Sequence, residues 1–153
     1  RREFAPPPSE SMFFSTGKGV AGFSARDMAR KEYDRRNLEG RVVVVDFWFI
    51  ACGPCRREIP ELNELEDEYR DSSSVVFLAV ALDRKEALVE FLKQEDFRYN
   101  IIPDGDSVTK RYGVNLYPTH LVLDKAGKVV FHTSGYGTST VRSLRKSIAE
   151  VLK

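Results

Sequence analysis

Val42-Val43-Val44-Val45-Asp46-Phe47-Trp48-Phe49-Ile50-Ala51-Cys52-Gly53-Pro54-Cys55 decides the fold. Val42 to Phe49 is too continuously apolar for a half-exposed strand and reads as a central strand buried on both faces. From Pro54 to about Asp71 the period changes to that of a helix, with Ile59, Leu62, Leu65 and Tyr69 on one side. Pro60 inside that pattern predicts a kink. The cysteines therefore fall where a buried strand hands over to a helix.

They are the chain's two cysteines, three positions apart with two residues between them. Two thiols so placed can close a disulfide and reopen it. A free cysteine has a pKa of about 8.5, and the unpaired N–H groups of a helix N-terminus favour its thiolate. Cys52 takes the position before the first turn, and Pro54 suits that turn because its missing N–H has no helical partner there. Gly53 is expected to ease a tight bend. In the expected cycle Cys52 attacks a disulfide and Cys55 then displaces the reduced product, leaving Cys52–Cys55 oxidised. A zinc site would need His120 and His132 as well, and their separation does not match a compact finger, so no metal is expected. A purely structural disulfide gains little from closing so short a loop.

The 153 residues fit one domain, and a hydrophobic fraction of 42% suffices for its core. A net charge of +1 argues against a nucleic-acid or membrane-surface partner. The pairs Arg35-Arg36 and Arg56-Arg57 read as solvated faces, the second with a minor place in substrate docking. No apolar run is long enough to span a membrane, and no signal peptide is visible. The chain starts at Arg1, which leaves room for a membrane tether or a further domain upstream. Residues 1–19, with Pro6-Pro7-Pro8 and scattered serines and glycines, read as a flexible linker interrupted by Met12, Phe13 and Phe14. The folded domain is expected over 20–153.

Ala25 to Arg36 fits either a helix or a strand and turn leading to Leu38. Val75 to Leu82 reads as a second buried strand and Arg84 to Gln94 as a helix with Leu88, Phe91 and Leu92 inward. Phe97 to Ile102 reads as a short strand, and Ser107 to Tyr112 as a short helix stopped by Gly113. His120 to Leu123 and Lys128 to Thr133 flank the turn Asp124-Lys125-Ala126-Gly127. Thr138 to Leu152 is amphipathic, with Val141, Leu144, Ile148 and Val151 on one face. The order predicts an α/β fold, a central mixed sheet flanked by helices on both faces.

With these residues in place the chain resembles the thioredoxin superfamily, and within it the extracytoplasmic thiol–disulfide oxidoreductases of the TlpA/ResA type. The resemblance rests on Asp46-Phe47-Trp48 followed by Cys52-Gly53-Pro54-Cys55, on Pro60, on Tyr117-Pro118-Thr119, and on Leu121 to Lys128. It covers about 40–153, and residues 20–40 would supply the extra N-terminal strands of that branch. It implies a thioredoxin-like fold and Cys52, Cys55 and Asp46 as catalytic residues. Burial should raise the pKa of Asp46, which would relay a proton to or from Cys55. Trp48, Tyr117 and Pro118 would form the substrate-binding surface. Trp48 would serve as core and as active-site wall. A cis Pro118 would leave the Tyr117 backbone free to pair with an extended substrate segment. Two features depart from the pattern. Ala51 stands where many relatives carry tryptophan, with Phe49 and Ile50 to compensate, and His120 places a polar ring on an expected core strand. It reads first as a hydrogen-bonded core histidine.

The function expected is thiol–disulfide exchange in the direction that reduces disulfides in partner proteins, with an upstream thiol as electron donor and no cofactor. The resemblance implies a place outside the cytoplasm, in the periplasm, with a membrane tether as an option for the longer protein. The alternative is a copper-handling module using both thiolates and His120. The proline-and-threonine pattern that precedes a peroxidatic cysteine is missing around Cys52, which argues against a peroxidase.

Overall fold

The computed structural model describes residues 23–153. The expected linker over 1–19, with its three apolar residues, lies outside them. The ambiguous segment resolves as a strand hairpin, β1 (Ser24–Arg26) and β2 (Glu32–Asp34), followed by the short helix α1 (Arg35–Leu38). Asp27 makes the connection. Its carboxylate accepts from the Ala29 and Lys31 N–H groups and from the Tyr33 hydroxyl. Asp34 then caps α1, accepting from the Asn37 N–H while the Asn37 side chain accepts from the Asp34 N–H.

The remaining elements are β3 (Val42–Trp48), α2 (Gly53–Arg57), α3 (Ile59–Glu68), β4 (Val75–Ala81), α4 (Lys85–Gln94), β5 (Asn100–Ile102), α5 (Asp106–Arg111), β6 (Thr119–Leu123), β7 (Val129–Ser134) and α6 (Thr140–Leu152). The five-stranded sheet runs β5-β4-β3-β6-β7. The β3–β4 and β4–β5 pairs are parallel, and β3–β6 and β6–β7 are antiparallel. All seven residues of β3 and of β4 are buried, which is why their sequences show no alternation.

Two cores lie on the two faces. Val42, Val44 and Trp48 of β3 join Cys55, Leu62, Leu65, Leu88, Phe91, Leu144 and Ile148. That face carries α2, α3, α4 and α6. Val43, Val45 and Phe47 point the other way, to Tyr33, Leu38, Tyr112 and the hairpin side. Helices therefore cover both faces. The predicted helix from Pro54 is two segments, broken at Glu58 just ahead of Pro60. The predicted strand from Phe97 shrinks to Asn100–Ile102, because Phe97 and Tyr99 pack as aromatic neighbours 5.1 Å apart before the ladder begins.

Candidate active site

The strand register builds the site. Asp46 points to the helix-bearing face with Val44 and Trp48, and Asp46 lies directly opposite His120 on β6. Cys52 caps α2, its Sγ accepting from the Cys55 N–H at 3.2 Å, and Pro54 sits in the first turn. Cys52 and Cys55 are joined as a disulfide. Cys52 keeps 6% of its surface exposed and Cys55 only 1%, so an incoming sulfur reaches Cys52. The loop before it is pinned by the Ile50 N–H donating to Asp83 and by the Cys52 N–H donating to the Phe49 carbonyl. A Cβ added at Gly53 would meet nothing within 4 Å, and Gly53 is not among the positive-φ glycines. The expected need for glycine in a tight bend is thus not met here. Pro54 and the cap alone set the turn.

Asp46, Glu58 and His120 form a buried cluster, and Asp46 lies on the face of β3 whose core includes Cys55. Glu58, at the α2–α3 break three residues beyond Cys55, is 1% exposed. Its Oε1 lies 2.5 Å from Nε2 of His120, whose Nδ1 lies 3.6 Å from Oδ1 of Asp46. Asp46 and His120 have no exposed surface. Both Asp46 oxygens, Oε2 of Glu58, Nδ1 of His120 and the Tyr99 hydroxyl are buried without a hydrogen-bond partner among the described residues. Burial pushes the Asp46 carboxyl up to about 7, and Glu58 adds to the rise while His120 opposes it. Burial pulls the His120 imidazole down, but Asp46 and the bonded Glu58 outweigh it and its pKa rises. The group therefore holds protons at a pH where free carboxylates have lost them. Glu58 was hidden because Arg56-Arg57-Glu58 looks like a solvated run. The one local signal is its spacing, on the side of Cys55 and Leu62.

The ligand atoms of Asp46, Glu58 and His120 lie within 4.8 Å of one another, so they are the set to test as a metal site. Zinc bonds of about 2.0–2.2 Å at tetrahedral angles would hold the nitrogen and oxygen more than about 3 Å apart. At 2.5 Å, Nε2 and Oε1 share a proton instead. Both ring nitrogens of His120 face carboxylates, so its ring is not offered to the sulfurs as a copper ligand.

The peptide bond between Tyr117 and Pro118 is cis. Tyr117 stands edge-on to Phe49, ring centres 5.3 Å apart, and the two form the wall beside the exposed Ala51. The Pro118 carbonyl accepts from the Gly135 N–H at 2.8 Å. Trp48 requires a correction. It has no exposed surface and packs on Phe91 and Phe97, at 5.4 and 5.1 Å between ring centres, so it supports the site from below and offers no surface to a substrate. Arg56 lies over the Phe91 ring and near Glu95, and Arg57 over Tyr136.

The AhpC/TSA family model matches residues 16–132. A thiol–disulfide oxidoreductase ResA of Bacillus thuringiensis subsp. konkukian is 33% identical over 126 residues, 80% of this chain and 71% of the relative. ResA of Halalkalibacterium halodurans is 30% identical over 135 residues, 86% of this chain and 76% of the relative. Among solved structures, one from Chlorobium tepidum assigned as the thiol:disulfide interchange protein DsbE superposes with a TM-score of 0.78 at 26% identity. That match covers 88% of this chain and 96% of the other. The fold is thioredoxin-like.

Proposed function

The chain belongs to the AhpC/TSA family as a TlpA/ResA-like member of the thioredoxin superfamily, and from that premise we propose that it reduces disulfides in partner proteins. Thiol–disulfide oxidoreductase activity and protein substrates follow from its ResA relatives and from the Cys52–Cys55 pair. The direction is our own reading. Cys52, the more exposed sulfur and the cap of α2, is the nucleophile, and Cys55 resolves the mixed disulfide. Asp46 and Glu58 take up and return the Cys55 proton. Tyr117 and Pro118 receive an extended substrate segment, since the Tyr117 backbone takes part in no hydrogen bond among the described residues. The domain extends over 20–153 after a linker. It works outside the cytoplasm and is recharged by an upstream thiol donor, with room for a membrane tether. No helix among the described residues is long and apolar enough to cross a membrane.

The observation that carries this reading is a closed disulfide at a helix start in a fold that also buries Asp46, Glu58 and His120 together. The Gly53-Pro54 dipeptide, shared with thioredoxin, favours the reducing direction. An equilibrium redox titration of the pair, followed by thiol alkylation, tests it. A potential near or below about −270 mV supports a reductase, and one near about −120 mV would make the protein an oxidant.

A further inference from the structure

We propose that His120 is a positioning residue for disulfide exchange: as an imidazolium between Asp46 and Glu58 it keeps a carboxylate free to accept the Cys55 proton. The proposal rests on Cys55 being the resolving cysteine.

Two buried carboxylates so close to one imidazole cannot both be ionised without a cation beside them. The groups facing the site come from every element around it. They are Asp46 from β3, Glu58 from the α2–α3 break and Tyr99 from the segment before β5, while Cys55 of α2, three residues before Glu58, is buried in the core on the same face of the sheet. Glu66 on α3 acts on Tyr99 from further out. His120 is the one member of this set that can carry positive charge. Its ring sits between the two carboxylates, bonded to Glu58 through Nε2 and turned towards Asp46 through Nδ1. A histidine serving packing alone would need neither contact, and an apolar residue would fill the same space on β6 more cheaply.

The reaction uses that proton balance. Once Cys52 is bonded to a substrate sulfur, the Cys55 thiol passes its proton to a carboxylate oxygen of Asp46 or Glu58. The Cys55 thiolate attacks Cys52 Sγ and the Cys52–substrate bond breaks. The electron pair leaves on the substrate sulfur, which takes a proton from water. The cysteine pair has then lost two electrons and the substrate has gained them. Without the imidazolium, Asp46 holds its own proton to higher pH, and that acceptor is already filled near neutrality.

The test separates the two sulfur steps. Reduced protein mixed with the aryl disulfide dithionitrobenzoate should release two thiolates, the first as Cys52 is capped and the second as Cys55 resolves it. In His120→Gln the pH midpoint of the second release should move up by about one unit relative to that of the first, about tenfold slower near neutral pH. An unmoved midpoint, or equal slowing of both releases, would overturn the proposal. A second readout needs no variant. The chain has two histidines, so ¹⁵N-histidine spectra of the unmodified protein are simple to assign. His120 should carry protons on both nitrogens at pH 7.5, and a neutral ring there would overturn the proposal as well. Loss of the first release in Cys55→Ser, with its retention in Cys52→Ser, would instead reverse the cysteine roles. The spectra would still decide the state of His120.

Discussion

Asp46 is the residue at which function costs stability. Its pKa of about 7 in the folded protein lies above the ordinary 3.8, burial being the largest cause. Between those two values the folded chain holds a proton that the unfolded chain has released, so stability falls as pH rises through this window. His120 acts with the same sign. Its raised pKa gives stability that is present below about 6.5 and lost as pH climbs past its folded value. An Asp46→Asn protein removes the first contribution while keeping the shape. It should be more stable than the parent at pH 8 by about 2–4 kcal/mol, with the gap closing towards pH 4. Urea unfolding of both oxidised proteins at the two pH values checks this, and equal midpoints at pH 8 would contradict it. Asp46 itself was legible, because a carboxylate in a run of valines must be buried. Its partners were only half legible. His120 drew notice for the same reason, whereas Glu58 is recognised only when the helix break turns it inward. Trp48 was misjudged because sequence gives the side of a strand but not the depth at which an aromatic ring stops.

At the scale of elements, long buried segments announced themselves and short ones did not. The strands β3 and β4 are seven-residue apolar runs, and α6 repeats its apolar face over three turns. The strands of the β1–β2 hairpin are three residues each, too short to show a period of two against one of 3.6. Long-range contact also hides the purpose of some residues. Gly105, in the stretch between β5 and α5, is where α5 meets β4. A Cβ there would lie 2.4 Å from Cγ1 of Val80 and 2.8 Å from the Ala81 carbonyl oxygen. The Gly105 N–H donates to that same carbonyl at 2.7 Å, so the backbone cannot back away without losing the bond. Gly105→Ala should therefore destabilise by about 1–3 kcal/mol. Gly53→Ala, with open space around its Cβ, should fall well short of that. Thermal melts of the pair rank them, and a larger loss at Gly53 would refute the comparison.

For the molecule as a whole, the direction of electron flow and the stability of the fold are one question. Folding and disulfide closure form a thermodynamic cycle, so the form with the greater folding stability is the form that the fold favours. A strong oxidant such as DsbA has a stabilised reduced state. Here the oxidised form has features that a reductase would use. The disulfide closes over the N-terminus of α2, with the Cys55 N–H directed at Cys52 Sγ. On the same face of the sheet as Cys55 lie two buried carboxylates, whose negative charge opposes a Cys55 thiolate formed by reduction. A Cys55 thiol must then stay protonated at rest and give up its proton only during exchange. The repulsion at Cys55 disfavours the reduced form and lowers the potential, whereas the helix N-terminus favours a Cys52 thiolate and works against it, so the direction requires the first to outweigh the second. The oxidised protein should accordingly melt above the reduced protein at pH 7. The distance from about −270 to about −120 mV corresponds to about 7 kcal/mol between the two forms, so the order of the melts is a sensitive measure. If the reduced protein melts higher, the fold stores oxidising power and the partner proteins leave it with disulfides that they did not bring.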